Sequence, residues 1–95
     1  MIWEYAVRQG SEARFEELYG PQGDWVKLFR GRRGYLDTEL LADLQTSGRY
    51  LTIDRWTTQE AYEAFRLGAE EEYQRLNALG EELTLEERLV GAFRS

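Results

Sequence analysis

An aspartate interrupts a strand-like run. In Tyr50-Leu51-Thr52-Ile53-Asp54-Arg55-Trp56, alternation places Asp54 on the same side as Tyr50, Thr52 and Trp56, with Leu51, Ile53 and Arg55 on the other. A strand with one wet face would alternate apolar with polar residues, and this one does not, so both faces read as covered. An ionised carboxylate buried without partners is costly or shifts its pKa upward. Asp54 therefore either pairs or serves. Its pairing candidates are Arg66, Arg75 or a tyrosine hydroxyl such as that of Tyr5. Beside tyrosine hydroxyls, a carboxylate of raised proton affinity is a general base for a phenol or an activated C–H. Trp56 and Tyr62 stand nearby along the chain as candidate companions, although an aromatic at a strand end is ordinarily core.

The chain offers few other bases. It has no His and no Cys, which removes Ser-His-Asp and Cys-His mechanisms, disulfides, thiolate metal ligands and the imidazole ligand of zinc and haem. The acidic pairs and runs, Glu70-Glu71-Glu72 and Glu81-Glu82, lack a metal-binding pattern and read as a solvated helix face. Lys27, Arg30, Arg32 and Arg33 form a basic cluster, either a solvated loop or a collar that attracts an anionic substrate.

The elements that must position these residues follow from patterning. Ile2 to Val7 alternates and reads as a first strand, with Trp3 and Tyr5 on one side. Ser11 is placed to cap a helix whose stripe is Phe15, Leu18 and Tyr19; Gly20-Pro21-Gln22-Gly23 breaks it, and Asp24 is placed to cap a short second piece with Trp25, Val26, Leu28 and Phe29. Tyr35 to Asp43 reads as a second strand, turned by Gln45-Thr46-Ser47-Gly48 into Tyr50 to Trp56. Thr57-Thr58-Gln59-Glu60 matches a capping box for one long helix with the stripe Tyr62, Phe65, Ala69, Tyr73 and Leu76, which Gly80 loosens at its end. Glu87 to Phe93 reads as the closing strand.

The order β-α-β-β-α-β predicts an α+β, ferredoxin-like single domain over residues 1–95, with a four-stranded antiparallel sheet and both helices on one face. The other face is then bare. Leu51 and Ile53, joined by Leu36, Thr38, Leu40 and Ala42 of the second strand, are expected to bury it in a homodimer whose two sheets meet. With 18 acidic against 12 basic residues and a net charge of -6, nucleic acid is not expected as a partner. No apolar run spans a membrane and no signal peptide is evident, so the expected location is cytoplasmic.

Residues 50–65, YLTIDRWTTQEAYEAF, preceded by GDWVKLFRGRRGYLDTELL at 23–41 and followed by an acidic helix, resemble the antibiotic biosynthesis monooxygenase family of dimeric α+β barrel proteins. The resemblance covers nearly the whole chain. It implies a pocket between helices and sheet in which a phenolic or polycyclic aromatic substrate is deprotonated and reacts with dioxygen without metal, flavin or other cofactor. The family's pocket Trp falls on Trp56, its Tyr on Tyr62 and a later Arg near Arg75, while its Asn is replaced by Thr52. The haem-degrading branch uses an Asn, a Trp and an axial His; here the matching positions hold Trp3 and Phe65, and no His is present. The expected site is thus Asp54, Trp56 and Tyr62 as catalytic residues, with Trp3, Tyr5, Thr52, Phe65 and Arg75 around the substrate and no metal. The alternative expectation is a non-catalytic binder of a small aromatic ligand, or an accessory protein, on the same fold.

Overall fold

The computed structural model describes residues 1–95. Its elements are β1 (Ile2–Val7), α1 (Glu12–Tyr19), α2 (Asp24–Phe29), β2 (Tyr35–Ala42), β3 (Arg49–Trp56), α3 (Gln59–Gly68), α4 (Glu70–Leu83) and β4 (Thr84–Gly91). One antiparallel sheet runs in the order β2-β3-β1-β4, and the helices cover one of its faces. This is the expected ferredoxin-like α+β arrangement.

Tyr5, Val7 and Tyr50 from the sheet meet Phe15, Leu18 and Tyr19 from α1, Phe29 from α2, Phe65 from α3 and Leu76 from α4. The Phe15 ring stacks on Tyr19 at 4.2 Å and stands 5.1 Å from Tyr5. Burial of one such side chain stabilises by roughly 1.5–3 kcal/mol. Gly80 lies inside α4, not at its end, and is buried against Tyr19: a Cβ there would overlap the Tyr19 hydroxyl. A residue that weakens an isolated helix here permits close packing between helices.

Several local expectations are corrected. Asp24 is the first helical residue of α2 and Gly23 its cap; Ser11 precedes α1 without a side-chain cap, and the Gly10 amide donates to Glu12 at 2.7 Å. The cap of α3 is Thr58, which accepts from the Ala61 amide at 3.1 Å, and the Thr57 amide, which the capping box would give to Glu60, donates instead to the Gly34 carbonyl at 2.7 Å. The long helix is two helices, broken where Ala69 leaves helical geometry at φ −134° and ψ 34°. Gly68 gives little helical persistence before the break, and Glu70, Glu71 and Glu72 favour a new N-terminus after it. The closing strand begins earlier, at Thr84, whose hydroxyl donates to the Gly80 carbonyl at 3.1 Å.

The faces of β2 are also corrected. A register irregularity between Tyr35 and Asp37 changes the parity, so that Thr38 sits beside Asp54 and Leu40 beside Thr52 under the helices, with exposed Ala42 beside Tyr50 on the same face. Asp37, Glu39 and Leu41 take the bare face beside Arg55, Ile53 and Leu51. Arg55 there bonds Asp37 at 3.0 Å and Glu39 at 2.8 Å, and Glu4 holds Arg49 and Arg88. The bare face is accordingly an apolar strip of Ile2, Leu51, Ile53 and Leu41 between exposed ion pairs, narrower than its sequence suggested.

Candidate functional site

The helix face of the sheet carries a line of polar groups under an aromatic roof. Asp54 is only 8% exposed. Its Oδ1 accepts the Thr38 hydroxyl at 2.8 Å, and the Thr38 oxygen is in turn 2.8 Å from the Tyr35 hydroxyl. Burial raises the Asp54 pKa above the ordinary carboxylate value, opposed by the Thr38 hydrogen bond and by the charge of the Met1 ammonium, which donates to the Asp54 carbonyl at 2.6 Å. No arginine pairs with it. Arg66 lies over the Tyr73 ring at 3.8 Å, and Arg75 is exposed on α4.

Farther along the face, Thr52 and Tyr5 are buried with their oxygens 3.4 Å apart. Burial drives the Tyr5 pKa far up, so its hydroxyl stays protonated. Glu87, next to Tyr5 in the register with β4, closes the row; desolvation followed by the charge of Glu81 raises its pKa.

Asp54, Thr38, Thr52, Tyr5 and Glu87 line a small, partly open cavity of about 30 Å³, together with Trp3, Tyr19, Trp25, Phe29, Tyr62, Tyr73 and Asn77. That is room for about one water molecule. It does not stand alone. Asp54 and Tyr62 also line an open cleft of about 920 Å³ that is bounded by Trp56, Leu36 and Phe93. Trp3, Tyr73, Asn77 and Glu87 border a second groove of about 520 Å³ over β4. The cavity, a narrow neck, shares Asp54 and Tyr62 with the cleft and Trp3, Tyr73, Asn77 and Glu87 with the groove.

The structure brings Asp54, Tyr62, Trp3, Tyr5 and Thr52 together. Trp56 lines the cleft instead of the neck, with its ring 5.6 Å from Tyr62 and 5.5 Å from Phe29, and its buried indole N–H has no partner. Two expected positions lie elsewhere: Phe65 is buried at 5.1 Å from Phe29 and 5.4 Å from Trp56 and lines neither space, and Arg75 points to solvent. The basic cluster is no collar either. Arg32 donates to the Leu28 carbonyl at 3.4 Å and lies over Phe65, and none of the four basic residues borders the neck or its openings. Sequence reading missed Thr38, Trp25, Tyr19 and Glu87. The parity change hid Thr38, and the other three read as core or as a strand start.

No group of three or more Asp or Glu side chains is arranged to hold a metal ion, and no helix is long and apolar enough to cross a membrane. The cavity combines aromatic walls, hydroxyl groups and a carboxylate whose proton affinity is raised.

The family model described as antibiotic biosynthesis monooxygenase matches residues 1–78. No curated protein matches the chain. Among solved structures, it is similar to SnoaB of Streptomyces nogalater, a cofactor-independent oxygenase, at 20% identity and a TM-score of 0.76, covering 99% of this chain and 91% of that one. It is similar to PA3566 of Pseudomonas aeruginosa at 22% identity and a TM-score of 0.67, over 99% and 90%. The haem-degrader MhuD of Mycobacterium tuberculosis is more distant, at 16% identity and a TM-score of 0.54, over 99% and 100%.

Proposed function

The chain belongs to the antibiotic biosynthesis monooxygenase family, and from that membership we propose that it oxidises a small phenolic or polycyclic aromatic molecule with dioxygen, using no cofactor. The observation that carries this reading is Asp54: a buried carboxylate, bonded to one hydroxyl and to no arginine, on the wall of an aromatic cavity. Its raised proton affinity suits it to take a proton from a phenol or from the methylene of an anthrone. The resulting anion is electron-rich enough to give electrons to dioxygen directly. In the anthrone case one oxygen atom becomes the new ring carbonyl, and the other leaves as water with the two methylene hydrogens. Thr38 orients the carboxylate, while Thr52 and Tyr5 supply hydroxyls for the substrate oxygen.

Binding a ring system requires more space than the neck provides, since small-molecule sites run to roughly 300–1,000 Å³. Half-buried Tyr62 lines both the neck and the larger cleft, and rotation of its ring joins the two. Two copies of the chain pair through the strip of Ile2, Leu51, Ile53 and Leu41, the remaining apolar part of the bare sheet face.

The small volume of the neck favours one second reading, a protein that holds a small aromatic ligand without converting it. Oxygen uptake by the purified protein with a panel of naphthols and anthrones separates the two. The catalytic reading predicts uptake above buffer and, with ¹⁸O₂, one labelled atom in the quinone product. Binding without uptake leaves the second.

A further inference from the structure

We propose that the indole N–H of Trp25, together with the hydroxyl of Tyr19, forms a hydrogen-bonding recess in the helical wall that receives an oxygen of a planar ligand. The inference rests on the reading of the neck as a site for an oxygen-bearing aromatic molecule, and it names the part of the wall that recognises the oxygen.

Trp25 is only 8% exposed, and its Nε1 is buried without a hydrogen-bond partner. An orphaned buried donor costs about 1–3 kcal/mol unless something meets it. It packs among the rings of Tyr73 at 5.1 Å, Phe29 at 5.9 Å and Tyr19 at 6.1 Å, and none of them accepts its hydrogen. The Tyr19 hydroxyl is a polar group close to it. The indole N–H lies near enough to ease ionisation of that hydroxyl, which burial otherwise opposes, yet falls short of a hydrogen bond to it.

Tyr19 itself is held in place. Its ring is stacked on Phe15, and its hydroxyl is seated against Gly80, where no side chain intervenes. The hydroxyl makes no hydrogen bond of its own within the protein. Both residues line the neck. Two donors without acceptors, fixed on one wall of a cavity, make a recess for one acceptor atom, and a carbonyl or phenolate oxygen has the lone pairs to fill it. On the opposite wall the sheet presents Asp54, Thr52 and the Tyr5 hydroxyl. Once Tyr62 has turned to join the neck to the cleft, a ring with an oxygen toward the helices and an acidic hydrogen toward the sheet satisfies both sides. The recess therefore selects planar ketones, phenolates and quinones over hydrocarbons of the same shape.

The test compares chromone, a planar bicyclic ketone, with naphthalene, which has two rings and no oxygen. In wild-type protein with ¹⁵N-labelled indoles, the three tryptophan signals are followed during titration, with Trp25→Phe used to assign one of them. The inference predicts that the Trp25 indole proton moves downfield with chromone and stays in place with naphthalene. Trp25→Phe and Tyr19→Phe should each weaken chromone binding by about twofold to tenfold and leave naphthalene binding unchanged. Chromone binding that leaves the Trp25 signal unmoved would overturn the inference, as would equal weakening of both ligands or no chromone binding at all. Failure of the catalytic reading looks different. Oxygen uptake would be absent while the chromone shift at Trp25 persisted.

Discussion

The Thr38 hydroxyl donates to Asp54 Oδ1 at 2.8 Å across the β2–β3 pair, and no other side chain bonds that carboxylate. The pair defines the chemical character of the cavity. Asp54 is held in one orientation without being neutralised, so its proton affinity is set mainly by burial.

Replacement of Asp54 by Asn should stabilise the protein at neutral pH. Burial raises the folded-state pKa above that of the unfolded chain, so the proton binds more tightly to the folded form. That contribution is complete below the unfolded aspartate pKa of about 3.9 and is lost as pH rises through the higher folded value. Thermal unfolding should show Asp54→Asn above wild type at pH 7, with the gap closing near pH 4. A variant less stable than wild type at pH 7 would mean that ionised Asp54 is compensated in the fold.

Thr38→Val removes the single donor to the carboxylate. Stability should fall by about 1 kcal/mol in urea unfolding. The pKa of Asp54 should rise further, since the hydrogen bond favours its charged form. The acid limb of kcat/KM against pH should therefore move to higher pH. An unmoved limb would place the titrating base elsewhere.

Gly80→Ala tests the packing of the helical layer. In an exposed helix this change stabilises by up to about 1 kcal/mol. Here the added methyl meets the Tyr19 hydroxyl, so a loss of roughly 1–3 kcal/mol in denaturant unfolding is expected. A neutral or stabilising result would displace Tyr19 from its position against α4.

The sheet face is tested by charge. Leu51→Glu or Ile53→Asp places a carboxylate in the apolar strip, and sedimentation at micromolar concentration should show wild type as a dimer and each variant as a monomer. A clean wild-type monomer would contradict pairing through this face.

The element order and the two faces of β3 were legible because alternation and helical spacing are local. Tyr50, Thr52 and Asp54 do lie under the helices, with Leu51 and Ile53 on the bare side. What was not legible depended on a single displaced residue or on distant packing. Leu36 sits in the irregularity that reverses β2, so Thr38 looked like an interface residue until it was paired with Asp54. Thr57 and Thr58 are equivalent as text, and they part only in the fold, where the Thr58 hydroxyl accepts the Ala61 amide and the Thr57 amide bonds the distant Gly34 carbonyl. Trp25 and Tyr19 belonged to apolar stripes, where nothing in the sequence separates an indole that merely packs from one whose N–H is left without a partner.

Removal of the substrate proton by Asp54 is the step on which the proposed activity depends. Its most direct test is the rate of oxygen uptake by Asp54→Asn relative to wild type, with the naphthol or anthrone that wild type consumes best and at equal folded concentration. Loss of a general base predicts a fall of about 100-fold or more. Uptake unchanged in Asp54→Asn would contradict the assignment.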